Sequence, residues 1–261
     1  MKTLLKSVLP DAVVGAVSRQ RYQRRRIRKY QRLRTEAKDG YTLEGYDRLQ
    51  CIYIHIPKNA GVSVTRGLFG SLGGGHLTAR DYRQIFGRQA FNQYFKFTIA
   101  RNPWDRVFSA WRFLRAGGMG EDDREWAQRH LSDYDSFRDF ILRGLGREEI
   151  QSALHFRPQH EFVCESGSTT PMVDYVGYLE TLESDFQAIC ERLGVKATLP
   201  RLNASGNNSY RDAYDAETRA IVATRYRRDI ELFGYTFEGV AHRLSPGSVG
   251  ILPAKDVGNT S

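Results

Sequence analysis

"CIYIHIPKNAGVSV", Cys51 to Val64, is an alternating apolar run that stops at Pro57 and gives way to a lysine, small residues and a serine. The β-branched and aromatic residues of the first half predict a short strand. The second half, Lys58, Asn59, Ala60, Gly61, Val62 and Ser63, predicts a turn leading into a helix. Small residues let backbone amides approach an anion closely, and the lysine adds charge. In α/β sheets ligands gather at the carboxyl ends of strands, where helix N-termini point their amides.

A second strand end has the same character. "FKFTIA" (95–100) reads as a strand and is followed by "RNPWDRVFSAW". This places Arg101 at the strand tip, with Asn102 as N-cap and Pro103 as first helical residue. Trp104, Val107, Trp111 and Leu114 form one buried stripe, and Arg106 and Ser109 share a face. Two cationic strand ends imply a ligand with two anionic groups. Singly, each residue has a blander reading: Lys58 as a solvated charge, Arg101 as a partner for Asp105, Ser109 as a small helical residue. Together they are harder to attribute to chance.

Further along, "VDYVGYLE" (173–180) predicts a third strand and 182–193 a helix stopping at Gly194. Asp215 to Phe233 predicts one longer helix, striped by Val222, Tyr226, Ile230 and Phe233 and ended by Gly234. Glycine-rich breaks fall at 70–76 and 115–123, another loop at 203–209, and the tail after Arg243 has no period. Strand–helix alternation predicts an α/β domain with a mostly parallel central sheet flanked by helices.

The net charge of +9 is concentrated, because Arg19 to Arg34 carries nine Lys/Arg and no acid. The expected plan is a basic N-terminal arm (1–45), an α/β domain (46–240) and a loose tail (241–261). The apolar stretch before the arm is interrupted by Lys6, Pro10 and Asp11, too short and broken to span a bilayer. Basic, amphipathic segments of this kind lie on anionic membranes, so residues 19–34 are a candidate membrane contact. Three well-separated cysteines without a C-x-x-C pair suggest neither a disulfide framework nor a thiolate zinc site. A cytoplasmic setting follows, with peripheral attachment to the inner face of the membrane through the arm. A nucleoside triphosphatase is disfavoured: the Walker A order puts lysine after the last glycine, and here Lys58 precedes Gly61.

"IHIPKNAGVSV" followed by "FKFTIARNPWDRVFSAW" resembles the family 2 (carbohydrate-type) sulfotransferases, as do "PQHEFVCESG", "LPRLNASG" and "TRYRRDIELFGYTF", in a bacterial-like form. The resemblance covers about Cys51 to Phe237. It implies a P-loop-like domain using 3′-phosphoadenosine 5′-phosphosulfate, with a phosphosulfate loop at Lys58–Ser63 and a 3′-phosphate site at Arg101 and Ser109. Val62 stands where the family often has threonine, which removes one hydroxyl contact.

Lys58 is expected to stabilise the leaving phosphate oxygen. His76, after the glycine run "GGGH", is the expected general base, with His155 as rival. His155 and Arg157 are expected to contact acceptor, a hydroxyl compound of the saccharide or glycolipid class. No metal and no specific nucleic acid are expected: Pro158 breaks the register of His155, His160 and Cys164, and no fourth ligand is evident. The alternative is a non-catalytic nucleotide- or polyanion-binding protein that uses the basic arm.

Overall fold

The computed structural model describes residues 11–200 and 209–244, with side chains from residue 21 onward. In chain order the helices are α1 (Asp11–Arg32), α2 (Glu44–Arg48), α3 (Gly61–Phe69), α4 (Ala79–Gln93), α5 (Pro103–Arg115) and α6 (Glu121–Leu131). Then come the short α7 (Phe137–Asp139), α8 (Glu148–Gln151) and α9 (His160–Val163), followed by α10 (Leu182–Leu193), α11 (Ala216–Arg225) and α12 (Arg227–Phe233). The strands are β1 (Cys51–Ile54), β2 (Phe95–Ala100) and β3 (Tyr175–Tyr178), with a small hairpin of β4 (Tyr235–Thr236) and β5 (Gly239–Val240).

β1, β2 and β3 form one parallel sheet in that order, with Tyr53 opposite Phe97 and Phe97 opposite Tyr175. The strands are almost wholly buried, as expected where helices cover a parallel sheet. The molecule is thus the P-loop-like α/β domain that the sequence predicts. Lys96, buried in β2, is compensated by Asp174, 2.8 Å from its Nζ, whose carboxylate also accepts the Lys96 amide. A second core lies beyond the sheet, where Trp104, Val107, Trp111 and Leu114 of α5 meet Phe140, Phe156 and Tyr226.

α5 starts as predicted, with the Asn102 side chain accepting from the Trp104 amide, and α10 ends at left-handed Gly194. The helix expected over 215–233 is two. It breaks at Tyr226 (φ −107°, ψ 22°), whose hydroxyl donates to the Phe156 carbonyl. The second piece carries Asp229, fully buried, to the backbone amides of Gln159 and His160. The basic segment is also more than an appendage. Leu33 is buried, Ile27 and Tyr30 pack on the core, and Arg26 makes a two-pronged contact with Asp81 of α4. Apart from Ser209 and Leu244, the loop at 203–209 and the tail beyond Arg243 lie outside the described residues.

Candidate active site

The chain leaves β1 through His55–Ala60 and enters α3 at Gly61. Lys58 (φ 69°) and Ala60 (φ 56°) both adopt left-handed backbone, which costs about 1–2 kcal/mol for a residue with a Cβ. Buried bonds hold them there. Asn59 Nδ2 donates to the Ile99 carbonyl and to Gln159 Oε1, both at 2.7 Å. Gln159 also spans the Arg101 backbone, accepting from its N–H at 3.1 Å and donating to its carbonyl at 2.8 Å. Arg101 Nη1 donates to the Lys58 carbonyl at 2.7 Å, and Arg106 Nε to the Pro57 carbonyl at 3.1 Å.

Gly61 is required by contact: a Cβ there would fall inside the His55 imidazole. Ala60 at the N-cap supplies no side-chain cap, so the first amides of α3 are left for another acceptor. Thr65, the next hydroxyl after Ser63, is committed to the carbonyls of Gly61 and Val62.

Charge under this turn is only partly compensated. Arg106 is 1% exposed, and its Nη2 is buried without a hydrogen-bond partner. Burial pushes its pKa down, opposed by Tyr226 and Asp229 nearby, yet a guanidinium keeps its proton, so the site carries a buried cation without a direct ion pair among the described residues. Lys58 Nζ lies 3.6 Å from the centre of the Phe113 ring. Burial, with Arg101 and Arg106 nearby, lowers its pKa to about 8, partly offset by Asp123. A guanidinium with a free Nη2, a lysine and an uncapped helix suit an oxyanion ligand.

Three histidines adjoin this charge, and burial holds all of them below the usual imidazole value: His55 strongly, His155 to about 4, and His76 downward. His76 Nδ1 is 3.1 Å from the His55 carbonyl, which can only accept, so Nδ1 carries the proton and Nε2 the lone pair. His155 shows the opposite arrangement. Its Nε2 faces Asp123 Oδ1 at 3.3 Å, and its Nδ1 is buried and unpartnered.

The fold therefore brings Lys58, His76 and His155 together, with Arg106, Phe113 and Asp123, which sequence reasoning did not assign to the site. Arg101 stands at the tip of β2 and is paired with Asp105 through Nε and Nη2 at 2.8 and 2.9 Å. Ser63 is buried, Val62 and Ser109 half-buried. Arg157 is engaged elsewhere, with Glu161 at 2.8 Å, and His160 is bound to Asp229. Among the described residues no group of three or more His, Cys, Asp or Glu is arranged to hold a metal. A cavity of about 770 Å³ between Gly67 of α3 and Phe186 and Cys190 of α10 contains none of these groups.

Gln159 was legible only as part of a "PQ" segment, and Asp123 sits in what reads as a glycine-rich break. Arg106 alone gave a signal, through its spacing on α5.

A parallel sheet whose first strand turns through a lysine-bearing loop onto a helix N-terminus, over a buried arginine, defines a P-loop-like α/β domain. The family model described as "Sulfotransferase family" matches residues 46–236, and the chain belongs to the family 2 sulfotransferases. It is similar, at 28% identity over 131 residues, to an uncharacterized protein of Archaeoglobus fulgidus; the match covers 49% of this chain and 92% of that protein. No solved structure matches.

Proposed function

We propose that the protein moves a sulfuryl group from 3′-phosphoadenosine 5′-phosphosulfate to a hydroxyl of a saccharide, free or carried on a lipid. The observation that carries this reading is the buried Arg106 guanidinium, whose Nη2 has no partner, close to Lys58 and to the uncapped start of α3. In this reading the backbone of Lys58–Ser63 nests the phosphosulfate. Arg101 has five N–H donors and spends three on Asp105 and the Lys58 carbonyl, leaving two that, with Ser109, would take the 3′-phosphate.

In the reaction the acceptor oxygen bonds to sulfur as the bond from sulfur to the bridging phosphate oxygen breaks. The electron pair leaves on that oxygen, where Lys58 stabilises the growing charge. The hydroxyl proton goes to His76 Nε2, whose lone pair is fixed by the Nδ1–H contact with His55. His155 is the weaker candidate for the base because its Nε2 is turned to Asp123 and burial holds its pKa to about 4. With Asp123 it is assigned to holding the acceptor. Three buried, unpaired cysteines, Cys51, Cys164 and Cys190, support a reducing, cytoplasmic setting.

Incubation of the purified protein with sulfur-labelled donor and pools of saccharides and glycolipids tests this reading. Label in a saccharide product, lost in Lys58→Ala, is the expected result. Label confined to a non-saccharide acceptor overturns the acceptor class, and no label in any pool together with no binding of adenosine 3′,5′-bisphosphate overturns the donor.

A further inference from the structure

The arginines of α1 fall into two sets. Arg26, with Ile27, Tyr30 and Leu33, faces the domain, where Arg26 binds Asp81 and Leu33 is buried. Arg21, Arg24, Arg25, Arg28, Lys29 and Arg32 are exposed, and among the described residues none of them forms an ion pair. At 3.6 residues per turn these six fall within an arc of about 140°, opposite the clamped face. Tyr22, beside that arc, is 66% exposed. The same helix begins at Asp11, and its sequence ahead of the arginines is Ala12, Val13, Val14, Gly15, Ala16 and Val17, with no charge. No helix among the described residues is long and apolar enough to cross a membrane.

We propose that the outward face of α1 docks the protein on an anionic phospholipid bilayer. Six cations without a neighbouring acid complement a surface of lipid phosphates, each adding attraction near that surface. An exposed tyrosine beside the cationic arc suits the boundary between headgroups and acyl chains. The clamp on α4 makes the contact more than a tether. A helix seated on lipid would fix the orientation of the domain as well, and with it the direction from which an acceptor carried on a lipid arrives.

The test is partition of the full chain onto vesicles of phosphatidylcholine with about a third phosphatidylglycerol, compared with phosphatidylcholine alone. Wild type should bind the anionic vesicles and lose that binding as salt shortens the screening length from about 10 to about 3 Å. Replacing Arg21, Arg25 and Arg28 with Gln should lower the partition coefficient about a hundredfold, roughly fivefold for each charge. Replacing the exposed Arg138, Arg211 and Arg227 with Gln should leave it unchanged, and neither triple variant should alter binding of adenosine 3′,5′-bisphosphate. Equal binding to neutral vesicles, salt-independent binding, or wild-type partition by the α1 variant overturns the proposal. So does displacement from the vesicles by a short DNA duplex at equal phosphate concentration, which would make the surface one for nucleic acid.

Discussion

The two sides of the site are built differently. Around the donor turn, Asn59, Gln159 and Asp229 are fully buried, and the bonds among them, Ile99 and Arg101 run from 2.7 to 3.1 Å. On the acceptor side, Asp123 follows a loop with Gly117 (φ 93°) and Gly118 (φ 66°), whose Met119 is 76% exposed. It is held by the Met119 amide at 2.9 Å and by His155 at 3.3 Å. On the proposed reading the pinned turn takes the donor anion. A carboxylate in the first turn of α6, behind a loop with two left-handed glycines, can be re-aimed without disturbing that turn, so on the same reading acceptor preference can change while donor recognition stays fixed.

The largest effect should come from the group poised between the two sides. His76→Ala should lower kcat by about 10²–10⁴ with donor affinity unchanged, whereas His155→Ala should raise the acceptor KM more than it lowers kcat. Steady-state rates with labelled donor separate the two, and the reverse pattern would move the base to His155.

Next is the brace itself. Gln159→Ala leaves Asn59 Nδ2 and the Arg101 amide without one of their acceptors, and should cost about 2–4 kcal/mol in urea unfolding. Donor affinity should fall with it. A loss below about 1 kcal/mol would mean that the turn does not depend on this brace.

The pH dependence sharpens the comparison without mutation. kcat/KM reports the free enzyme. Its acid limb should lie below pH 6.5, because burial lowers the His76 pKa and protonation removes the base. Its alkaline limb should fall near pH 8, as Lys58 loses the charge that stabilises the leaving group. Lys58→Arg should move the alkaline limb upward. An alkaline limb that stayed near pH 8 in that variant would belong to another group.

The smallest effect should be on the acceptor loop. A methyl group at Gly118 would meet Asp123 Cβ and strain a left-handed backbone. Gly118→Ala should therefore raise the acceptor KM about tenfold, some 1.4 kcal/mol, while the bisphosphate affinity holds. A matching loss of donor affinity would show the two sides to be coupled.

The same contrast explains how much was legible in the sequence. The donor side was read from contiguous stretches because strand, turn and helix cap are local: Asn102, Pro103, Gly61 and the α5 stripe each state their role within a few residues. Gln159 and Asp229 act on this turn from 100 and 70 residues along the chain relative to Asn59 and Gln159, and nothing local announces such partners. Asp123 was hidden for the same reason, because its meaning depends on His155. The break at Tyr226 was missed because the apolar stripe continues through it with an unbroken period, while the backbone turns.

Buried Arg106 braces the Pro57 carbonyl through Nε and, on the proposed function, keeps Nη2 for a ligand anion. Arg106→Met measures this most directly. The variant loses the Nε bond to the Pro57 carbonyl together with a buried charge that has no direct ion pair, two opposing effects, so the melting temperature of the ligand-free protein should change little. Calorimetric titration of adenosine 3′,5′-bisphosphate should show affinity about ten- to a hundredfold weaker than wild type, the value of one charge-assisted contact. A variant that melts several degrees lower yet binds the bisphosphate as wild type does would contradict the account.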